Sequence, residues 1–276
     1  MSNKFYSKFE EETREIIVLI QNVLGASPFG EQWEMAAITL GMVFCADGRV
    51  DVKKGRLNWL VSEAERNSEK GWNRFQKGQI CRIKARKLQD IYAPQNITPE
   101  EFNAWYVVEI MEQKAVCPKL EEVWKAYCEP VVMEDEVLGR LILNREFDVL
   151  EGSFSWNDAE ILLMLEVDAE DKSTWRDACN AAGSMVAEME KWDQAMRAFS
   201  AKALTDLAND WQADADENAA PITEEIFAER ISLSELTFSF EDSFTAYYAD
   251  DDMFWGHAIE VCGSLEQGIE CANIVG

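Results

Sequence analysis

Positive charge is scarce in the second half of this chain, and histidine is nearly absent from all of it. Residues 131–276 hold 8 Lys+Arg against 33 Asp+Glu, whereas residues 1–130 hold 18 against 19. Almost the whole formal charge of −26 therefore sits in one half. Such a surface repels phosphate backbones and anionic lipids and favours cationic partners. It argues against nucleic acid as a ligand of that half. The single histidine, His257, excludes any site needing two imidazoles. The seven cysteines never form a CxxC pair, so neither a zinc site nor a disulfide framework is expected. Their apolar neighbours, as at Val43-Phe44-Cys45, suggest small core hydrophobes in a reducing compartment.

Other absences narrow the classes further. The N-terminus, Met1 to Phe5, lacks the apolar core of a signal peptide. The longest nearly apolar run, Ala36 to Ala46, is roughly half of the ~20 residues that a membrane span needs. A cytoplasmic protein without membrane contact is expected. No Gly-rich phosphate loop, serine elbow or HExxH occurs, and no cofactor is expected. What is present is a hydrophobic content of 47% with 10 Trp and 14 Phe, enough for well-buried cores.

Patterning predicts an α+β protein in three regions. In residues 1–75, apolar positions 9, 16, 17, 19, 20, 23 and 24 after Glu10-Glu11-Glu12 suggest a helix over 5–25 capped by Gly25. Further helices are expected over 31–46 and 51–69, making a small helical bundle. Residues 76–130 form a connecting region, with a period-two strand at 79–88, a loop over 89–103, a second strand at 105–111 and a short helix over 118–127. Residues 49–87 carry 12 Lys+Arg against 4 acids. This basic strip could touch nucleic acid, but it is read first as a solvated face or as pairing internally with the acidic half.

Residues 131–276 read as an antiparallel-sheet domain with two packed helices, βββ-αα-βββ. Strands are expected over 139–144, 149–156, 159–167, 231–240, 244–249 and 257–262, with a weak one over 270–275. Asn157-Asp158 is a hairpin-turn signal. A Trp/Met stripe runs from Trp175 to Trp211. One straight helix there would be roughly 57 Å long, so a break is expected near Trp192-Asp193, with Asp193 as a cap. Trp175, Met185, Met189, Trp192, Phe199, Leu207 and Trp211 are expected to face the sheet. A polar loop over 212–220 and a short helix capped by Thr223 follow.

The candidate site is the segment Asp250-Asp251-Asp252-Met253-Phe254-Trp255-Gly256-His257. A histidine beside three carboxylates suits a metal-dependent hydrolase or a general base. The same residues suit a packed turn in which His257 only ties backbone, and this structural reading is preferred, with no metal. Asp250, Asp251, Asp252, Trp255 and His257 are the binding candidates.

The run from Tyr248 to Ile259 resembles the C-terminal signature of the bacterial family called domain of unknown function 2262. So do Leu138-Gly139-Arg140-Leu141 and Leu150-Glu151-Gly152-Ser153-Phe154-Ser155-Trp156. The resemblance covers residues 131–276 and implies a bacterial cytoplasmic protein without an assigned catalytic residue. Related acidic domains with such an aromatic-Gly-His ending resemble immunity proteins. The expected function is therefore a non-enzymatic module that binds a basic protein such as a toxin. An enzyme built on His257 and mimicry of DNA stand as alternatives. Ala46-Asp47-Gly48-Arg49-Val50-Asp51 is similar to the interhelical segment of tellurite-resistance TerB-like helical domains, without the acid that would complete a metal site.

Overall fold

A computed structural model describes residues 2–68, 74–94, 102–215, 219–239 and 242–276. The chain forms two compact units, Met1–Glu129 and Pro130–Gly276.

Unit 1 is not helical, as the sequence suggested, but mostly β. After a short helix α1 (Ser2–Tyr6) come β1 (Arg14–Phe29), β2 (Gln32–Phe44), β3 (Val50–Asp51) and β4 (Gly55–Val61). Helix α2 (Glu63–Arg66), β5 (Ile80–Lys87), β6 (Ala104–Glu112) and helix α3 (Pro118–Cys128) complete it. The expected helices over 5–25, 31–46 and 51–69 are thus replaced largely by β1, β2 and β4. The physical reason lies in two-sided burial. Ile16, Val18 and Ile20 enter one core, while Leu19 joins Leu40, Val43, Cys117 and Leu120 under α3. A strand buried on both faces shows a continuous apolar run, which periodicity cannot tell from a buried helix. The Gly48 segment lies between strands as a turn with φ +69°, so nothing supports the TerB-like resemblance.

The strand order is β1-β5-β6-β4-β2-β3, and β1 also pairs with β2. Five strands therefore close on themselves, with β3 attached to the end of β2. Closure removes the free edges that an open sheet exposes. Gly78 (φ +77°) lies under Trp124 of α3, where a Cβ would approach the ring to 2.7 Å. The expected strands at 79–88 and 105–111 and the helix at 118–127 match β5, β6 and α3. The described part of the loop expected over 89–103 is a 3₁₀ turn at Asp90–Tyr92 and neighbouring coil; residues 95–101 lie outside the described set.

Unit 2 is one eight-stranded sheet with helices on a single face. Its strands are β7 (Val132–Asp135), β8 (Gly139–Asn144), β9 (Val149–Trp156), β10 (Ala159–Glu166), β11 (Ser232–Phe238), β12 (Ser243–Ala249), β13 (Ala258–Ser264) and β14 (Gly268–Val275). They lie in the order β14 to β7. Helices α4 (Lys172–Ala187), α5 (Met189–Ala215) and α6 (Glu224–Arg230) are inserted between β10 and β11. That crossover makes β10 and β11 parallel, while all other neighbours are antiparallel. The βββ-αα-βββ expectation is corrected to four strands, three helices and four strands. The hairpin at Asn157-Asp158 forms with φ +47° and +68°, as such a turn requires. Thr223 Oγ1 accepts from the Ile226 N–H at the start of α6. Residue 240 of the expected 231–240 strand lies outside the described set, as do residues 216–218 of the expected polar loop; residues 212–215 of that loop are still helical.

The break between α4 and α5 falls at Glu188, earlier than Trp192-Asp193, and Asp193 is a core residue rather than a cap. The early restart changes the phase of the buried stripe. Met196, Ser200, Ala201, Leu204, Thr205 and Ala208 are buried in α5, while Phe199 is only half-buried. Trp175 and Met185 are in the core, with Met189, Trp192, Leu207 and Trp211 packed at its margin. The cysteine reading also changes. Cys262 and Cys271 are disulfide-bonded across β13 and β14, with Cα atoms 5.3 Å apart, and Cys45 and Cys128 are exposed.

Candidate functional site

The segment after β12 is a tight turn organised by Asp250. This residue is 5% exposed. Its Oδ1 accepts the Asp252 N–H at 3.2 Å, and its Oδ2 accepts those of Phe254 at 2.6 Å and Gly256 at 3.3 Å. Asp251, Asp252, Trp255 and Gly256 all have positive φ, a conformation that needs such local bonding to persist. Asp251 is held by Arg230, whose Nε donates to its carboxylate and whose Nη2 donates to its carbonyl, each at 2.7 Å.

The aromatic residues of the turn gather on Trp211 of α5. Its ring centroid lies 4.8 Å from Trp255, 5.7 Å from Phe254 and 5.7 Å edge-on from His257. Sequence reasoning gave His257 the task of tying the turn; the structure gives that task to Asp250, and His257 packs against Trp211. The three carboxylates do not converge. One is spent on backbone, one is paired and Asp252 is exposed. Among the described residues no group of three His, Cys, Asp or Glu side chains is placed to hold a metal.

A second polar cluster escaped sequence reasoning. Asp193, 8% exposed, accepts from Trp156 Nε1 at 3.1 Å and from Arg197 Nε at 2.8 Å. Arg197 Nη1 donates to the carbonyls of Ala228 and Ile231. The Tyr248 hydroxyl is buried beside the Asp193 carboxylate. Burial, then the Asp193 carboxylate, push its phenol above the ordinary range. An Asp–Arg pair at i,i+4 is the one available signal, and on a helix it reads as a solvated pair. The cluster joins α5 to β9 and to the end of α6.

The sheet's other face is uncovered by any described element of unit 2. One outward row crosses all eight strands as Val132, Ile142, Glu151, Met164, Thr237, Thr245, Cys262 and Cys271. The adjacent row runs Ser153, Leu162, Glu235, Tyr247, Glu260 and Asn273. Tyr247 donates to Glu260 at 3.0 Å; burial, then this bond, raise its phenol pKa. The eight strands contain eight carboxylates and one basic residue, Arg140. Leu162, Ile142 and Val132 stand exposed among them.

Part of the basic strip of unit 1 pairs inside its own unit. Lys84 meets Glu109 at 2.9 Å, Arg74 meets Glu65 at 2.7 Å, and Arg82 meets Glu15. No described helix is long and apolar enough to cross a membrane.

With the geometry in place, comparison with known proteins adds two family matches. Residues 135–274 match the family described as "Uncharacterized protein conserved in bacteria (DUF2262)". Residues 1–127 match a domain of unknown function, DUF7021. No curated protein matches the chain.

Proposed function

We propose that this chain, which belongs to the DUF2262 family of bacterial proteins, uses unit 2 as a non-enzymatic binding module for a basic protein. The observation that carries this reading is the open sheet face, where Glu151, Glu235 and Glu260 lie among exposed Ile142 and Leu162. Carboxylates set around apolar side chains suit a cationic partner, with charge guiding encounter and apolar burial holding the complex. A toxin neutralised by an immunity protein is a partner of this kind. In the candidate turn, Asp252 and Trp255 are exposed enough to touch a partner, and Trp255 is 61% exposed. Asp250 and His257 serve the turn itself. A hydrolytic reading has less support, because both oxygens of Asp250 are already bonded to backbone.

The test uses cytochrome c as a defined basic protein and measures association by stopped flow at low and high salt. Glu151→Gln/Glu235→Gln/Glu260→Gln is compared with Asp177→Asn/Asp206→Asn/Asp210→Asn, which removes equal charge from exposed helix positions. The sheet variant should lose about tenfold in association rate, within the range of electrostatic steering, and the helix variant far less. Equal losses, or no association by the parent, overturn the proposal.

A further inference from the structure

One concavity of unit 1 has the opposite charge to the chain as a whole. A cavity of about 360 Å³ is lined by Arg14, Arg49, Lys53 and Lys87 over the rings of Phe44 and Trp105. Its residues come from separate stretches of chain. Arg14 opens β1, Phe44 closes β2, Arg49 and Lys53 flank β3, Lys87 closes β5 and Trp105 lies in β6. The one acid on its wall, Asp51, has its Oδ1 bonded to the Lys53 N–H at 3.0 Å.

The four cations are not equally engaged. Arg14 binds Glu10 at 2.8 Å and Glu12 at 2.9 Å, and Lys87 lies 3.5 Å from Asp90. Arg49 and Lys53 have no carboxylate in ion-pair range among the described residues. Two unpaired cations converging on one cavity are an exception in a protein of net charge −26. The site is also shaped in advance. The Arg49 guanidinium lies 4.0 Å from the Phe44 ring centroid, and that of Arg14 lies 5.7 Å from Trp105. Trp105 Nε1 donates to Asn103 Oδ1 at 2.6 Å, which fixes the indole. Stacking on a ring sets the plane of a guanidinium and leaves its N–H edge free for an oxyanion.

We propose that this cavity binds a small phosphorylated molecule, with the phosphoryl group between Arg49 and Lys53 and the rest of the ligand along the Phe44 side. A guanidinium fork beside an ammonium is the donor set that phosphate oxygens recognise. The volume exceeds that of a bare phosphate and falls in the range of small-ligand pockets. The neighbouring depression decides between a small ligand and a nucleic-acid backbone. It shares Arg14, Phe44 and Arg49 with the cavity but adds three carboxylates, Glu12, Glu15 and Asp47, against one further cation, Arg82, which is paired with Glu15. A phosphate chain leaving the cavity there would meet carboxylates.

The test is isothermal titration of the full chain with pyrophosphate, ADP and a twelve-nucleotide single-stranded DNA. Pyrophosphate or ADP should bind, and more weakly as salt rises. Arg49→Gln/Lys53→Gln should weaken binding at least tenfold, with the unfolding midpoint lowered only by the lost Arg49–Phe44 contact, because neither side chain is in an ion pair. Lys125→Gln, an exposed change on α3, should leave binding as it was. Lys53→Gln alone, at an exposed position, gives the same reading if the double variant is less stable. The proposal is overturned if neither small ligand binds, if the Arg49/Lys53 variants bind as the parent does, or if only the oligonucleotide binds. These outcomes concern unit 1 alone and do not bear on the acidic face of unit 2.

Discussion

The carboxylate of Asp193 in α5 accepts a 3.1 Å hydrogen bond from the indole nitrogen of Trp156 at the end of β9. Asp193 also holds Arg197, which binds the carbonyls of Ala228 and Ile231. Removing the carboxylate strands a partly buried guanidinium and an indole N–H together. Asp193→Ala should lower stability by about 3 kcal/mol, the lower end of what breaking a buried pair costs. Trp156→Phe loses one hydrogen bond and some packing and should cost about 1–2 kcal/mol. Urea unfolding followed by fluorescence gives both values; a smaller loss for Asp193→Ala than for Trp156→Phe would contradict the assignment.

The turn after β12 offers a sharp contrast between two neighbours. Asp250→Ala removes the acceptor for three backbone N–H groups and should cost about 2–3 kcal/mol. His257→Asn removes one edge-on contact with Trp211 and should cost about 1 kcal/mol or less. Thermal denaturation of both variants would reveal a reversed order if the imidazole, rather than the carboxylate, held the turn.

Within α5 the buried and half-buried positions should separate in the same way. Met196 is fully buried, and Met196→Ala should cost about 2–5 kcal/mol through lost transfer energy and the cavity left behind. Phe199 is only half-buried, so Phe199→Ala should cost less than Met196→Ala despite its larger side chain. Chemical denaturation midpoints decide the order.

Burial pushes the Cys81 thiol up to about 12, and burial followed by Asp135 pushes Cys179 up to about 11. The unfolded chain releases these protons near the ordinary thiol value of 9.0. Above pH 9 the native state therefore binds more protons than the unfolded state, and stability falls as pH rises. The contribution is complete below pH 9 and lost towards pH 11 to 12. Unfolding midpoints at pH 8, 9 and 10 should decline, and Cys81→Ala/Cys179→Ala should flatten that decline. At pH 8, iodoacetamide should label exposed Cys128 long before Cys81 or Cys179.

The strands of unit 2 were legible because the sheet has one covered face. In β10, Ile161, Leu163 and Leu165 point inward while Glu160 and Leu162 do not, and period two survives. In β1 the alternation disappears because Leu19 and Ile20 are buried in different cores, so side chains on both sides are apolar. Register shifts between Leu19 and Ile20 and between Ile20 and Asn22 disturb the remaining pattern. Within the candidate turn the residue types were visible, but their division of labour was not. Nothing local distinguishes the buried Asp250 from the paired Asp251. The Cys262–Cys271 bond was hidden for a similar reason, since it depends on the register of β13 against β14. The cavity of unit 1 draws on β1, β3, β5 and β6, a juxtaposition that only the closed strand order creates.

That closure has a consequence for how the chain emerges during synthesis. Arg14 finds its partner in Ala85, and Arg56 finds its partner in Ala104. The β1–β2 hairpin can form early, but its flank stays open until β5 is made. Loop closure over such separations is slow compared with local pairing. Nascent unit 1 thus passes through an interval in which a long apolar hairpin waits with a bare edge, a template for association between chains. Chaperones and the pace of translation should accordingly matter most for unit 1 until β5 and β6 have been made.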